Sequence, residues 1–320
     1  MNEPDANATD ASPAVPLALS MLRDQLDRVD YLVDEGLAMA LFLAQALRQP
    51  VLLEGEPGVG KTSAAKALAA ALEAPLIRLQ CYEGITAGEA LYEWNYPRQL
   101  LSIRLSESGE HHMTEADLFS AEFLLDRPLL RSLRGDGEGG PAVLLIDEVD
   151  RADDEFEALL LEFLGESSIT VPELGTFDAD QPPIVVLTSN RSRELHDALK
   201  RRCFYHWIEF PSVERAAAII RRRVPGGADA LVTAATAFVS SARALELDKP
   251  PGLAEAIDWV SALRVLGLTE LDRAAVERTL GSIVKTPDDL VTVRTALGRG
   301  ELPVGEQPGE HVGEQVAVDR

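Results

Sequence analysis

Two cysteines among 320 residues, Cys81 and Cys203, are too few and too far apart for a disulfide framework, and they match no zinc spacing. Long apolar runs are also lacking. The longest, Leu37 to Leu47, includes Gln45 and is too short to span a bilayer, so no membrane partner is expected. The first residues carry Glu3, Asp5 and Asp10 and no basic-then-apolar leader pattern, which reads as a cytoplasmic chain. Basic residues are scarce: 30 Lys and Arg stand against 53 Asp and Glu, a net charge of −23. That balance argues against broad binding to nucleic acid or to an anionic membrane. Acidity is equally an ordinary solubility device, so it names no partner. A chain of this length holds one large or two ordinary domains.

What is present begins with GEPGVGKT, Gly55 to Thr62, which has the spacing GxxxxGK[ST]. It follows the apolar run Val51, Leu52, Leu53 and precedes a long Ala- and Leu-rich helical stretch. Gly55, Gly58 and Gly60 let the backbone turn tightly, so that successive N–H groups point at phosphate oxygens. The following helix adds its N-terminal dipole to the anion site. Lys61 reaches the β- and γ-phosphates, and Thr62 supplies a hydroxyl to Mg²⁺. The nucleotide-binding residues expected here are Gly55, Glu56, Pro57, Gly58, Val59, Gly60, Lys61, Thr62 and Ser63. A bland glycine turn is the competing reading, and the strand before and helix after the loop weigh against it.

A second apolar run, Ala142 to Ile146, has the composition of a strand buried on both faces of a parallel sheet. It ends in Asp147 and Glu148 and continues into an acidic helix start, Val149 to Glu157. Five strands are expected in all: Val51–Glu54, Leu76–Gln80, Ala142–Ile146, Ile184–Ser189 and Trp207–Phe210. Helical patterns separate them, as a parallel sheet of βαβ units requires, with a further helix over Asp34–Gln49. After Pro211 the strands stop. Helices are expected at Val213–Arg223, Asp229–Leu245, Leu253–Val265, Glu270–Ile283 and Pro287–Leu297, the last two capped by Thr269 and Thr286. The division predicted is a flexible segment over 1–20, an α/β core over 21–211, a helical lid over 212–297 and a flexible acidic tail over 298–320.

The order of phosphate loop, Asp-Glu strand, a strand ending Thr188-Ser189-Asn190, an arginine-bearing helix and a helical lid resembles the AAA+ ATPases, over roughly residues 25–297. Within them CYEGITAGEALYEWNYPRQLL, Cys81 to Leu101, is similar to the MoxR family, in the branch associated with maturing carbon-monoxide dehydrogenase and similar metalloenzymes. The resemblance implies a P-loop α/β fold of five parallel strands with a C-terminal helical lid, ATP and Mg²⁺ as cofactors, and a ring homo-oligomer, hexameric. It implies a von Willebrand A-domain partner protein and a metalloenzyme client. It assigns Asp147, with Thr62, to Mg²⁺ and Glu148 to polarising the attacking water. Asn190 takes the place of the polar sensor at the strand end, against its ordinary use in a turn. Leu199-Lys200-Arg201-Arg202-Cys203 resembles the arginine-finger motif, with Arg202 the finger and Arg201 the reserve, against a plain basic helix end. One departure is visible: no arginine stands where many lids carry a second sensor, and Lys249 is the nearest substitute, without the planar fork.

Charge patterning agrees with a finger. Nine Lys and Arg against four acids between Arg191 and Arg223 give +5 inside an acidic chain, a cationic surface that a neighbouring acidic edge could meet. Two insertions interrupt the core, near 83–140 and 168–177; the second reads as a hairpin turning through Pro172 and Gly175. The chain has only 17 aromatic residues, and Tyr82, Tyr92, Trp94 and Tyr96 fall within 15 positions at the first insertion. They either grip a polypeptide at a ring pore or pack beneath the insertion, the latter reading preferred. His111-His112 lacks further ligands nearby, so no metal site is expected there. The function expected is an ATPase that remodels or matures a protein client. A DNA-associated AAA+ helicase or activator, and a non-hydrolysing nucleotide-gated scaffold, are the alternatives from other classes.

Overall fold

A computed structural model of the chain describes residues 14–107, 113–135, 141–179 and 181–305. His111-His112 and most of the acidic tail lie outside the described residues. Two compact units are present, the first running to Ile208 and the second comprising Pro57–Val59 with the chain from Glu209 onward.

The first unit opens with two helices, α1 (Ala14–Arg28) and α2 (Glu35–Leu47). α1 starts inside the stretch whose composition reads as flexible. Its Leu22 and Leu26 are buried, and that burial supplies the anchor the composition conceals. Asp34 caps α2, its carboxylate accepting the Leu37 N–H at 2.7 Å. The central elements follow in the order β1 (Val51–Gly55), α3 (Lys61–Ala71), β2 (Leu76–Gln80), α4 (Ala87–Ala90), β3 (Tyr92–Trp94), α5 (Tyr96–Glu107) and α6 (Glu115–Leu118). Next come β4 (Leu124–Asp126), α7 (Pro128–Arg134), β5 (Val143–Asp147), α8 (Asp154–Glu166), β6 (Ser168–Val171), β7 (Gly175–Asp178), β8 (Ile184–Ser189), α9 (Asp197–Arg202) and β9 (Phe204–Ile208).

The five-stranded parallel sheet expected from the sequence is present, in the order β2-β5-β8-β1-β9. Every residue of β1, β5 and β8 is buried, as the apolar runs predict for strands covered on both faces. The two edge strands alternate instead, β2 burying Ile77 and Leu79 while exposing Leu76 and Arg78. The fifth strand differs from its expected place. It starts at Phe204, directly after α9, and pairs Phe204 with Val51. Its alternation of half-buried Phe204 and His206 with exposed Tyr205 and Trp207 leaves no continuous apolar run to read.

Two small antiparallel strand pairs lie outside the sheet. β3 pairs with β4, and β6 pairs with β7. Trp94 in β3 is buried, its ring edge-on to Phe119 with centroids 5.2 Å apart. Tyr96 is exposed and Tyr92 half-buried.

The second unit carries α10 (Val213–Arg223), α11 (Asp229–Arg243), α12 (Leu253–Val265), α13 (Arg273–Thr279) and α14 (Pro287–Gly298) around its own core. Trp259 is fully buried and donates its indole N–H to Thr279 Oγ1 at 2.8 Å. α13 begins three residues later than the Thr269 signal predicts, because Asp272 is the cap, accepting the Ala275 N–H at 2.6 Å. α14 starts at Thr286 as expected, with the Asp289 N–H donated to the threonine hydroxyl at 3.1 Å. Lys249 sits in a turn fixed by the buried Asp289 carboxylate, which accepts the Asp248 and Lys249 N–H groups at 2.9 and 3.1 Å.

Candidate nucleotide-binding site

β1 ends at Gly55 and α3 starts at Lys61, so the glycine loop joins a buried strand to a helix N-terminus. Gly60 precedes the helix with φ +102°, a left-handed conformation that side chains rarely adopt. No side chain caps α3, which leaves the N–H groups of its first turn free for an anion. Lys61 Nζ donates to the carbonyls of Gly55 and Glu56 at 2.7 and 2.8 Å, holding the loop in its curve. Burial lowers the Lys61 pKa; Asp150, Asp147, Glu148 and Glu54 oppose that shift by favouring the charged form.

The acids at the end of β5 meet this loop. Thr62 Oγ1 lies 3.0 Å from Asp147 Oδ1. The Asp147 carboxylate also accepts from Thr188 Oγ1 at 2.6 Å and from Arg78 Nε and Nη2 at 3.0 and 2.6 Å. Asp147 is thus buried and fully partnered, and with Thr62 it forms a pair of oxygen donors suited to a hard cation such as Mg²⁺. Glu148 takes a left-handed conformation, φ +55°, which is unusual for a side chain of its length. Its N–H donates to Thr188 Oγ1 at 2.9 Å, and its Oε2 accepts from Gln80 Nε2 and from Arg151 Nη1, each at 3.1 Å. Thr188 therefore ties the two acids to β8, while the β2 residues Arg78 and Gln80 hold their carboxylates from the other side.

Asn190 follows β8, half-exposed, with its backbone N–H donated to Asp150 Oδ1 at 3.2 Å. Asp150 Oδ2 accepts the Ser192 N–H at 2.7 Å and its hydroxyl at 2.6 Å, which clamps the loop that presents Asn190. Glu54 lies buried at the loop's root. It accepts from Ser189 Oγ at 3.0 Å and from the Tyr205 hydroxyl at 3.1 Å. Lys61, Thr62, Asp147 and Glu148 are brought together, and Asn190 joins them through Asp150. Arg201 and Arg202 lie apart, on α9, whose last turn packs against α8.

Contributors the sequence reading did not assign include Arg78, Gln80, Asp150, Thr188, Glu54 and Arg151. The polar face of LIRLQ was a partial signal: strand alternation puts Arg78 and Gln80 on one face, but only the sheet order sets that face beside the two acids.

Residues 50–203 match the AAA domain of the dynein-related subfamily. This segment is an AAA+ ATPase domain. No curated protein matches the chain in sequence. Among solved structures it is similar to the RuvB Holliday junction branch migration motor of Thermotoga maritima, with 18% identity, a TM-score of 0.42 and coverage of 87% of this chain and 73% of that one. A variant of the same motor shares 17% identity at a TM-score of 0.48, covering 85% of this chain and 79% of that one.

Proposed function

We infer that this chain hydrolyses ATP and couples the reaction to remodelling or maturing a protein client, as a ring of identical subunits related to the MoxR ATPases. The observation that carries the chemistry is the meeting of Thr62, Asp147, Thr188 and Glu148 beside an uncapped helix N-terminus. The loop N–H groups and Lys61 bind the phosphates and offset the charge that develops on them during transfer. Thr62 and Asp147 would hold Mg²⁺, which supplies further neutralisation of phosphate charge. Glu148 orients and polarises water, with Gln80 and Arg151 setting the direction of its carboxylate. Asn190 stands at the strand end beside these acids and is assigned to orienting the same water. α9 supplies an arginine to the neighbouring copy's nucleotide.

The Cys81–Leu101 stretch supports a MoxR-like role, a von Willebrand A-domain partner and a metalloenzyme client. The net charge of −23 weighs against a DNA-associated function. The test is nucleotide binding and phosphate release side by side. Lys61→Ala is expected to lose ATP binding at concentrations that saturate the wild type. Glu148→Gln is expected to bind normally and to slow phosphate release by about 10² or more. Turnover at the wild-type rate in Glu148→Gln removes the catalytic assignment, and co-purification from the native host tests the partner.

A further inference from the structure

Three consecutive cations end α9, and the structure uses them differently. Leu199 is fully buried and anchors the helix. Lys200 Nζ lies 3.2 Å from Glu194 Oε1. Arg202, three positions after Leu199 and so on the same side, turns back onto its own subunit, its Nη1 donating to the Leu161 carbonyl of α8. Its own carbonyl accepts from Gln49 Nε2 at 3.2 Å. Arg201, two positions after Leu199, faces the opposite way. It is exposed and makes no hydrogen bond or ion pair among the described residues.

The Arg202 contact is one of a row along α8. Glu157, Leu161 and Gly165 stand at i, i+4 and i+8, on one ridge of the helix. The fully buried Glu157 pairs with Arg193 Nη2 and accepts the His196 N–H at 3.0 Å. Arg193 Nε donates to the Ala152 carbonyl at 2.9 Å. At the far end a Cβ on Gly165 would fall 2.5 Å from Arg202 Nη1 and 3.3 Å from its Cζ. Gly165 does not have a positive φ. Its value at this position is space, a notch that an arginine head fills.

We propose that Arg202 seats α9 in the Gly165 notch of its own subunit as a structural anchor, and that Arg201 is the arginine presented to the nucleotide of the neighbouring copy. The Arg201 half rests on the ATPase reading above. The seat rests on geometry alone.

The seat is tested by a melting cycle on the full chain with Arg202→Ala, Gly165→Ala and the double variant. Arg202→Ala lowers the melting temperature by about 2–4 °C. A Cβ at Gly165 displaces the same side chain, so Gly165→Ala in the Arg202→Ala background is expected to lower it no further. Additive losses overturn the seat, and so does an Arg202→Ala protein that melts as the wild type. The presented arginine is tested by turnover. Arg201→Ala is expected to melt as the wild type, to keep ATP affinity within about twofold, and to lose about 10³ in rate. Mixing it with Glu148→Gln subunits is expected to restore activity, because some interfaces then join an intact Glu148 to an intact Arg201. Undiminished turnover of Arg201→Ala in an active chain overturns this inference alone. A wild-type chain without turnover overturns the ATPase reading and the Arg201 half with it, while the melting cycle still decides the seat.

Discussion

Cys81 sits one residue beyond β2, fully buried, with its N–H donated to the Asp147 carbonyl at 2.9 Å. Burial pushes its thiol up to about 12, with the charges of Asp147, Asp150 and Glu148 adding to the effect; burial alone pushes Cys203 to about 12. A buried thiol that stays protonated is a poor nucleophile. Both cysteines are expected to react with iodoacetamide at pH 8 at least about tenfold more slowly in the folded chain than in guanidinium, and equal rates would show an open site. The sign of the pH dependence follows. Below pH 9 both states keep the proton. Between 9 and 12 the unfolded chain gives up protons that the folded chain retains, so stability falls as pH rises through that window. At this scale the phosphate loop and the Asp-Glu pair were legible because they are contiguous strings with fixed spacing. Arg78, Gln80 and Thr188 were not, since they act from other strands and only the sheet order brings β2 and β8 to either side of β5.

Among the elements, the central strands were readable because each is a continuous apolar run, and the edge strand β9 was misplaced because exposure breaks its run. The aromatic insertion resolves into separate fates. Trp94 is core, packed edge-on against Phe119, whereas Tyr96 is 57% exposed at the start of α5. Trp94→Ala is therefore expected to cost about 3–5 kcal/mol, as other core truncations of this size do. Tyr96→Ala is expected to change stability by about 0.5 kcal/mol or less. Urea unfolding of the two variants checks the contrast. A Trp94→Ala chain as stable as the wild type would move that residue from the core to a surface role; of the four clustered aromatics Tyr82 and Tyr96 are the exposed ones, and under the proposed function they are the contacts offered to a client. Sequence alone could not separate Trp94 from Tyr96, because they lie two positions apart and no signal between them marks where β3 ends at Trp94 and α5 begins at Tyr96.

For the molecule as a whole the question is whether copies of net charge −23 can associate into the proposed ring. The +5 stretch from Arg191 to Arg223 suggested a cationic edge for an acidic neighbour. Most of those cations are already engaged within the chain. Arg191 lies 3.8 Å from Glu54, Arg193 pairs with Glu157, Lys200 with Glu194 and Arg221 with Asp229. Arg202 is bound to a carbonyl, and Arg215 and Arg222 also have partners. Only Arg201 and Arg223 have none among the described residues. Attraction between complementary edges is correspondingly small, and repulsion between like-charged subunits acts over the Debye length, about 30 Å at 0.01 M salt and about 8 Å at 0.15 M. If rings form, added salt is expected to strengthen assembly across this range at fixed ATP, since screening removes more repulsion than attraction. Sedimentation velocity from 0.01 to 0.15 M NaCl measures it. Assembly that weakens with salt would mean that exposed ion pairs hold the ring, and would return the cationic stretch to the role its composition suggests.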